Sequence, residues 1–298
     1  MDPSPDGYPL DEAHSTLAVG ALLPPPTGQP QPKVATAAGP SDTLEAALLR
    51  THAESLNDFE GLRITTGNRI YAFKAAAAEA GMEEEVINAH PDVRRMEATQ
   101  AGLQLLEDGV IGDLERTMRQ HPLGPWVKRT TGVGLKQGAR LIACYGVEGP
   151  GWNKVAGRPR TLSELWAYSG YHVIDGLAPA RRKGQRANWN AQARTRAYLC
   201  ADSVMKGLRK PCVVDEETRS ATHVEGCKCY PLRIVYDAMR AKHATALHAF
   251  ACAQCGPAGK PALPGSPLGL KHQQARALRI VSKELLRSLW LEATEGAR

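Results

Sequence analysis

The chain has 298 residues, of which 43% are hydrophobic and only 5% aromatic, enough apolar material for one large domain or two modest ones. No apolar run reaches the ~20 residues of a membrane-spanning helix, and the N-terminus lacks a secretion-signal pattern. Seven cysteines, an odd number, fit a reducing compartment better than a set of disulfides. Membrane-embedded and disulfide-scaffold proteins are therefore excluded, and we expect a cytoplasmic protein without a membrane partner.

Charge is strongly segregated along the chain. Residues 1–120 carry 9 Lys and Arg against 19 Asp and Glu, whereas residues 121–212 carry 16 against 4, a net charge of +12. A segment this basic is typical of a surface that binds a polyanion. The alternative is a solvated surface whose charge is balanced by the acidic N-terminal third.

The first predicted elements are a leader and a helical arm. Proline-rich stretches such as LLPPPTGQPQP predict a disordered leader over residues 1–41. Apolar residues at roughly heptad spacing then predict a helix from Ser41 to about Ala80 and a second from about Asp92 to Gln120. Together they predict an acidic, antiparallel, coiled-coil-like arm over residues 42–120 that supports a homodimer or higher oligomer. Two amphipathic helices packed on one globular core are the alternative.

Helices continue through the rest of the chain. A capping box formed by Thr161 and Glu164 marks the start of one of them. The predicted helices are Pro125–Thr130, Leu135–Tyr145, Leu162–Ser169, Asn188–Leu208, Pro231–Phe250 and Lys271–Ala293. No strand-like alternation persists, so the predicted fold class is mainly α, with an α-helical domain over residues 121–298.

The stretch TTGVGLKQGARLIACYG has the pattern of a helix–hairpin–helix element. Glycine tolerates the positive φ of a tight turn and lets a phosphate approach the backbone, and the first amides of the second helix attract an anion. The predicted nucleic-acid contacts are Gly132, Val133, Gly134, Lys136 and Arg140, with Val133 also filling the core between the helices. Such contacts position a duplex without reading its sequence. A plain hinge between two helices is the alternative.

A second basic cluster occupies APARRKGQRANWNAQARTR, residues 178–196. Clustered cations with an embedded aromatic side chain suit a surface that follows a nucleic-acid backbone. The predicted contacts are Arg181, Arg182, Lys183, Arg186, Arg194 and Arg196. Trp189 could stack on a base or sugar, but we favour the alternative that it anchors the following helix in the core.

In this order the segments resemble the carboxy-terminal domain of the serine-dependent, DEDD-type insertion-sequence transposases, a bacterial family known for RNA-guided recombination. The similar segments are TTGVGLKQGARLIA, LSELWAYSG, GLAP, the basic stretch, the Arg-rich helix, YDAMRAKH and QARALRIVSKELLRSLW. Upstream, LRITTGNRIYAF is similar to a helix of the family's coiled-coil arm, so the resemblance covers about residues 42–291. It implies a transposase-like DNA-binding domain over residues 121–298, with DNA or a structured RNA as the partner.

Two departures from the family bear on activity. The family's metal-dependent domain should precede the arm, where the proline-rich leader stands instead. After GLAP the family has its nucleophilic serine, but this chain reads ARRKG, and Ser169 is not an obvious substitute. Without these groups it can neither form a phosphoserine link nor hold catalytic metals. We therefore expect a nucleoid-associated binding protein with no catalytic residue; the alternatives are an active, or split, transposase of a mobile element and a protein–protein adaptor.

Two clusters of Cys and His have metal-ligand spacing. Their four thiols cannot share one zinc ion if residues 231–250 form a straight helix, because twenty residues at ~1.5 Å each separate the pairs by about 30 Å. Two separate sites remain, in residues 212–229 and 248–272. Their ligands would be Cys212, His223, Cys227 and Cys229, or His248, Cys252, Cys255 and His272. The second set is the better zinc knuckle because Gly256 lets backbone amides turn toward the sulfurs; free thiols in flexible loops are the alternative.

Overall fold

A computed structural model describes residues 40–174, 178–180, 184–207, 213–214, 221–222, 230–252, 255–257 and 260–295 of the chain. Within these residues the fold is mainly helical, as predicted. The helices are α1 (Pro40–Glu79), α2 (Glu84–Ala89), α3 (Pro91–Gln120), α4 (Gly124–Arg129), α5 (Leu135–Ala143), α6 (Leu162–Tyr168), α7 (Ala191–Gly207), α8 (Pro231–Ala244) and α9 (Leu270–Glu295). Residues 1–39 of the predicted leader lie outside the described residues.

Strands contribute little to the described part of the chain. Two antiparallel pairs are formed by β1 (Trp152–Asn153) with β2 (Arg158–Pro159) and by β3 (Val213–Val214) with β4 (Ala221–Thr222). Each strand is two residues long, so the pairs shape loops rather than build a layer of the core.

The predicted arm is formed by α1 and α3, which pack against each other in antiparallel register. Helix α1 runs unbroken for 40 residues, about 60 Å at ~1.5 Å per residue. Residue numbers rise along α1 as they fall along α3 in three polar contacts between the helices. These contacts join His52 to Thr117, Arg63 to Glu107 and Lys74 to Glu97. The short helix α2 lies in the connection, where the sequence predicted no helix.

The arm is only half independent of the main core. At its base, Leu56 and Leu114 are fully buried in the same cluster as Trp126 and Leu141 of the central helices. At its far end, Ala77, Ile87 and Val93 form a separate small cluster. Each of the two interpretations of the arm therefore describes one half of it: the inner half packs on the globular core, and the outer half packs on itself.

Local signals placed several helix ends correctly. Thr161 caps α6 through the predicted capping box with Glu164, and hydrogen bonds from the Thr161 backbone and from Arg158 lower the pKa of Glu164 to about 2. Helix α7 begins three residues later than the predicted Asn188, because the side chain of Asn190 accepts a hydrogen bond from the Ala193 amide at 3.0 Å and caps the helix there.

One predicted helix end was wrong in a way that matters for the site. Helix α8 ends at Ala244, not at Phe250. From Leu247 onward the backbone instead pairs with the segment before α9, through bridges that join Leu247 to Pro267 and Cys252 to Ala262. Among the described helices, none combines the length and apolar character that crossing a bilayer requires.

Candidate metal centre and nucleic-acid interface

Four side chains after α8 converge on one point. The ligand atoms of His248, Cys252, Cys255 and His272 all lie within 4.8 Å of one another. His272 Nδ1 is 3.4 Å from Cys255 Sγ and 3.9 Å from Cys252 Sγ. This is the second of the two predicted sets, so the cluster could hold a metal ion. The other set, Cys212, His223, Cys227 and Cys229, lies outside the described residues.

The backbone around the cluster explains how a loop holds four ligands in place. The Cys252 and Ala262 peptides exchange two hydrogen bonds at 2.9 and 2.8 Å, and the His248 amide donates to the Ser266 carbonyl at 2.8 Å. Cys255 follows in a turn so tight that a Cβ at Gly256 would overlap the carbonyl oxygen of Lys260. These constraints place His248 and Cys252 on one paired segment and bring Cys255 beside them.

His272 reaches the cluster from a different element, the first turn of α9. The Gly269 carbonyl accepts hydrogen bonds from the His272 and Gln273 amides at 2.9 and 3.0 Å, and the Gln273 side chain donates to the Leu268 carbonyl at 2.9 Å. The start of the helix is therefore fixed to the same loop that carries the thiols. Burial, with the nearby charge of Arg276, lowers the pKa of His272 to about 4, so its imidazole is neutral and able to ligate near pH 7.

One buried atom tests whether the cluster suits a metal ion. His248 Nδ1 lies 2.9 Å from the Ser266 carbonyl oxygen, so it carries the proton and donates it there. The lone pair is then on Nε2, which is buried and has no hydrogen-bond partner. A backbone carbonyl on one imidazole nitrogen and a metal on the other is the usual arrangement of a metal-binding histidine. The orphaned Nε2 therefore fits a metal ligand.

The Cys255 thiol also has a backbone partner that favours metal binding. Burial raises the pKa of the Cys255 thiol, and a hydrogen bond from the Gly269 amide acts in the opposite direction. An amide that donates to sulfur stabilises a thiolate, the form in which cysteine binds metal. Ser266 and Gly269 are thus supporting residues of the centre that sequence reasoning missed, because a backbone carbonyl and a backbone amide leave no composition signal.

The predicted hairpin is present, with α4 and α5 joined by a tight turn. Gly132 has φ of +87°, a conformation that favours glycine, and Val133 is buried in the main core as predicted. A Cβ at Gly132 would lie 2.6 Å from the Val204 Cα, and Ser203 Oγ donates to the Gly132 carbonyl at 2.8 Å. The face of Gly132 is therefore occupied by α7 and is closed to a phosphate.

Gly134 is the glycine that remains open. It is exposed, it is the N-cap of α5, and a Cβ there would meet no atom within 4 Å. The first turn of α5 contains no acidic residue. Nearby, Lys128 at the end of α4 is exposed and has no ion-pair partner among the described residues.

Two predicted phosphate contacts of the hairpin are engaged by the arm. Arg140 is 3% exposed, and its guanidinium donates at 2.5 Å both to Asn57 and to Glu60. Lys136 Nζ lies 3.8 Å from the buried carboxylate of Glu107. The Arg140 guanidinium is therefore buried against carboxylate and amide oxygens that the sequence places about eighty residues earlier, and its contact with a phosphate stays a prediction.

The second basic cluster is divided in the same way. Arg196 is half-buried and donates to Asn57 at 2.8 Å, and Arg194 donates to the Pro179 carbonyl at 2.8 Å while stacking over Trp189. Trp189 is half-buried and packs on Gly170, where a Cβ would lie 2.6 Å from the indole; its role as an anchor of the following helix stays a prediction. Arg186 is exposed. Arg181, Arg182 and Lys183 lie outside the described residues.

Ser169 is not placed for catalysis. It is fully buried at the C-terminal end of α6, and its hydroxyl lies 2.9 Å from the hydroxyl of Tyr145, which follows α5. Burial raises the pKa of Tyr145, which keeps this phenol neutral. The pair therefore joins two core elements by a neutral hydrogen bond.

Comparison of the chain with models of known protein families, with curated proteins and with solved structures found no match.

Proposed function

We propose that this chain is a nucleic-acid-binding protein related to transposases, which contacts a phosphate backbone through its helix–hairpin–helix element and performs no strand chemistry of its own. The observation that carries the proposal is the open start of α5 at Gly134, a helix N-terminus without acidic residues in the most basic third of the chain. Amides at such a terminus bind anions well. Such a protein would act on the nucleoid in the cytoplasm.

The division of cations in the hairpin refines which groups would touch the phosphate. Lys136 and Arg140 hold α5 against the arm, so the contact would come from the backbone at Gly134, with Lys128 beside it. Among the described cations of the second basic cluster, Arg186 is exposed and would extend the same path. Phosphate contacts from amides and exposed lysines give affinity and register without sequence specificity.

Gly134 offers a test that leaves the fold intact. Its φ of −77° suits any residue, and the space beyond it is open. Gly134→Asp would provide a better N-cap than glycine while placing a carboxylate where the phosphate should sit. We expect unchanged or slightly higher thermal stability, with duplex-DNA affinity in fluorescence anisotropy reduced about tenfold or more, since one contact is replaced by repulsion.

The matched control is Gly134→Ser, which supplies the same cap without the charge. We expect its DNA affinity to remain close to that of the unmodified protein. Equal affinities for the Asp and Ser variants would show that no phosphate lies at this helix start. If the unmodified protein shows no salt-dependent binding to duplex DNA, single strands or structured RNA, the proposed function is wrong.

The metal that the buried cluster fits best is zinc. Two thiolates and two imidazoles are a standard tetrahedral zinc set, and zinc–ligand distances of ~2.0–2.3 Å would draw the four atoms together by about 1 Å. Each ligand is held by its backbone, so we assign the ion a structural role. It would lock the start of α9 to the loop after α8.

Metal analysis of the purified protein tests the zinc proposal. Cys252→Ser should lose one equivalent of zinc per chain and lower the thermal stability, because metal binding is coupled to folding. The control is Cys144→Ser: this thiol donates to the Arg140 carbonyl at 3.2 Å, away from the cluster, and serine can keep that bond. Less than about half an equivalent of zinc in the unmodified protein, or equal zinc in both variants, would argue against the site.

The outer arm supports a homodimer as the protein partner. Large apolar side chains there are exposed, namely Leu62, Ile64, Tyr71 and Phe73 of α1 and Leu105 and Leu106 of α3. Exposed apolar patches of this kind mark interaction sites, and a second copy of the same arm would offer a matching apolar surface. The acidic side chains Glu60 and Glu107 are already paired with cations of this chain, which weighs against an adaptor that recruits a basic partner.

A further inference from the structure

The chain between Asp237 and Glu284 contains no acidic residue. These 46 residues carry seven Lys and Arg, and they include the end of α8, the whole metal cluster and the first half of α9. Elsewhere several basic side chains pair with carboxylates of the same molecule: Lys154 with Glu148 at 2.9 Å and Arg158 with Glu164 at 2.6 Å.

Three lysines of this segment are available at the surface. Lys242, Lys260 and Lys271 are all exposed, and none has an ion-pair partner among the residues that the structure describes. Lys242 lies in the last turn of α8 and Lys271 in the first turn of α9, and a hydrogen bond of 2.9 Å from Arg240 to the Leu270 carbonyl ties these two turns together. Lys260 lies in the turn next to Cys255, so each of the three cations lies on a segment that adjoins the metal cluster.

An aromatic side chain is exposed in the same loop. Phe250 lies between the ligands His248 and Cys252 and is 51% exposed, in a protein that has only three phenylalanines. An exposed ring among unpaired cations is the combination that binds single-stranded nucleic acid, because the cations take the phosphates and an unpaired base stacks on the ring. Stacked bases of a duplex offer no free face to such a ring.

We propose that Lys242, Lys260, Lys271 and Phe250, here called the knuckle surface, bind single-stranded nucleic acid. The inference rests on the proposed function and names a second contact, apart from the hairpin. The metal cluster would contribute no net charge to this surface, since two thiolates balance one divalent zinc ion. Its role would be to hold the loop that presents Lys260 and Phe250.

The test compares two variants of equal charge change in the full-length, metal-loaded protein. The first, called the knuckle variant, combines Lys242→Gln, Lys260→Gln and Lys271→Gln. The control combines Arg50→Gln, Arg95→Gln and Arg116→Gln on the arm, where each arginine is exposed and pairs with an acid of its own helix. Binding of fluorescein-labelled oligothymidylate and of a mixed-sequence duplex is measured by anisotropy across a salt titration.

We expect the knuckle variant to lose affinity for oligothymidylate on the order of 100-fold at about 0.1 M salt, with the log–log salt slope reduced by about 2, as three lost single-strand phosphate contacts require. Phe250→Ala should weaken the same complex by about tenfold with the slope unchanged. The arm control should change affinity by less than about threefold, and zinc content and thermal unfolding of all variants should match the unmodified protein.

The outcomes separate this inference from the proposed function. If the unmodified protein binds neither probe, the proposed function fails. If it binds and the knuckle variant binds equally well, or the arm control loses as much affinity, the knuckle surface is not the contact. If the knuckle variant loses duplex binding and keeps oligothymidylate binding, the assignment to single strands is overturned while nucleic-acid binding stands.

Discussion

The ion pair between Arg140 and Glu60 predicts which of the two residues matters more for stability. The Arg140 side chain is only 2% exposed, whereas that of Glu60 is 29% exposed. Glu60→Gln would leave a buried guanidinium without a counter-charge, but Arg140→Met would leave a carboxylate that water can reach. We therefore expect Glu60→Gln to be more destabilising than Arg140→Met. If Arg140 only contacted a phosphate, neither substitution should affect folding.

The magnitudes follow from burial. Removing one partner of a fully buried pair costs about 3–5 kcal/mol, and partial hydration of Glu60 reduces this to about 2–4 kcal/mol for Glu60→Gln. Arg140→Met should cost about 1–2 kcal/mol, because methionine keeps the packing and Asn57 still accepts a hydrogen bond from Arg196. The change also removes a like charge, since Arg140 disfavours the charged form of Arg196.

The assay is urea unfolding of both single variants and the double variant. The exposed pair Arg50 and Glu54 is the control, and its variants should change the free energy of unfolding by less than about 0.5 kcal/mol. The hydrogen bond from Arg140 lowers the pKa of Glu60 below its usual 4.5. Its contribution is therefore complete above pH 4.5 and lost as the pH falls below it, so Glu60→Gln should flatten that part of the acid limb.

Two results would refute this reasoning. One is a larger loss of stability for Arg140→Met than for Glu60→Gln, which would mean that the buried cation is not held by the carboxylate. The other is a folded Arg140→Met protein whose DNA affinity and salt slope fall as expected for a lost phosphate contact. Arg140 would then be the nucleic-acid contact that the sequence predicted.

Two further predictions concern the turn and the arm. Gly132→Ala should lower the free energy of unfolding by about 2–4 kcal/mol, measured in urea, because the residue has positive φ and its Cβ would press on the backbone of α7; an unchanged midpoint would contradict this close packing. Leu105→Glu with Leu106→Glu should convert a dimer to a monomer in light scattering at equal helicity, and a monomeric unmodified protein would rule out the arm interface.

The sequence predicted the helices well where local signals were strong. The capping box at Thr161 and Glu164 and the apolar periodicity of α9 fixed those elements to within a few residues. The end of α8 was missed because TALHAF contains no glycine or proline. Tertiary pairing of Leu247 with Pro267 and the convergence of His248 on the metal cluster override its helical propensity.

In the candidate site, too, the sequence predicted what depends on residues close in sequence and missed what depends on distant partners. The four residues of the cluster, which could hold a metal ion, were predicted together because His248, Cys252 and Cys255 are close in sequence and His272 follows in the next helix start. The hairpin was recognised from its glycines, but nothing local distinguishes Gly132, which is closed by α7, from Gly134, which is open. Likewise, the burial of Arg140 depends on Glu60, about eighty residues away in the arm, and no local pattern reveals such a partner.

The charge distribution shows why net charge along the sequence does not by itself locate the exposed cations. The segment of +12 packs against an acidic arm, and Arg140 and Lys136 meet Glu60 and Glu107 there. Part of that positive charge therefore forms ion pairs that hold the arm against the core. The segment after Asp237 has a smaller excess, but it contains no acid of its own before Glu284. Its surface carries three exposed lysines, Lys242, Lys260 and Lys271, without an ion-pair partner among the described residues. Exposed charge without an acidic partner attracts phosphate, which is why we propose the knuckle surface as a second contact beside the hairpin despite its lower count.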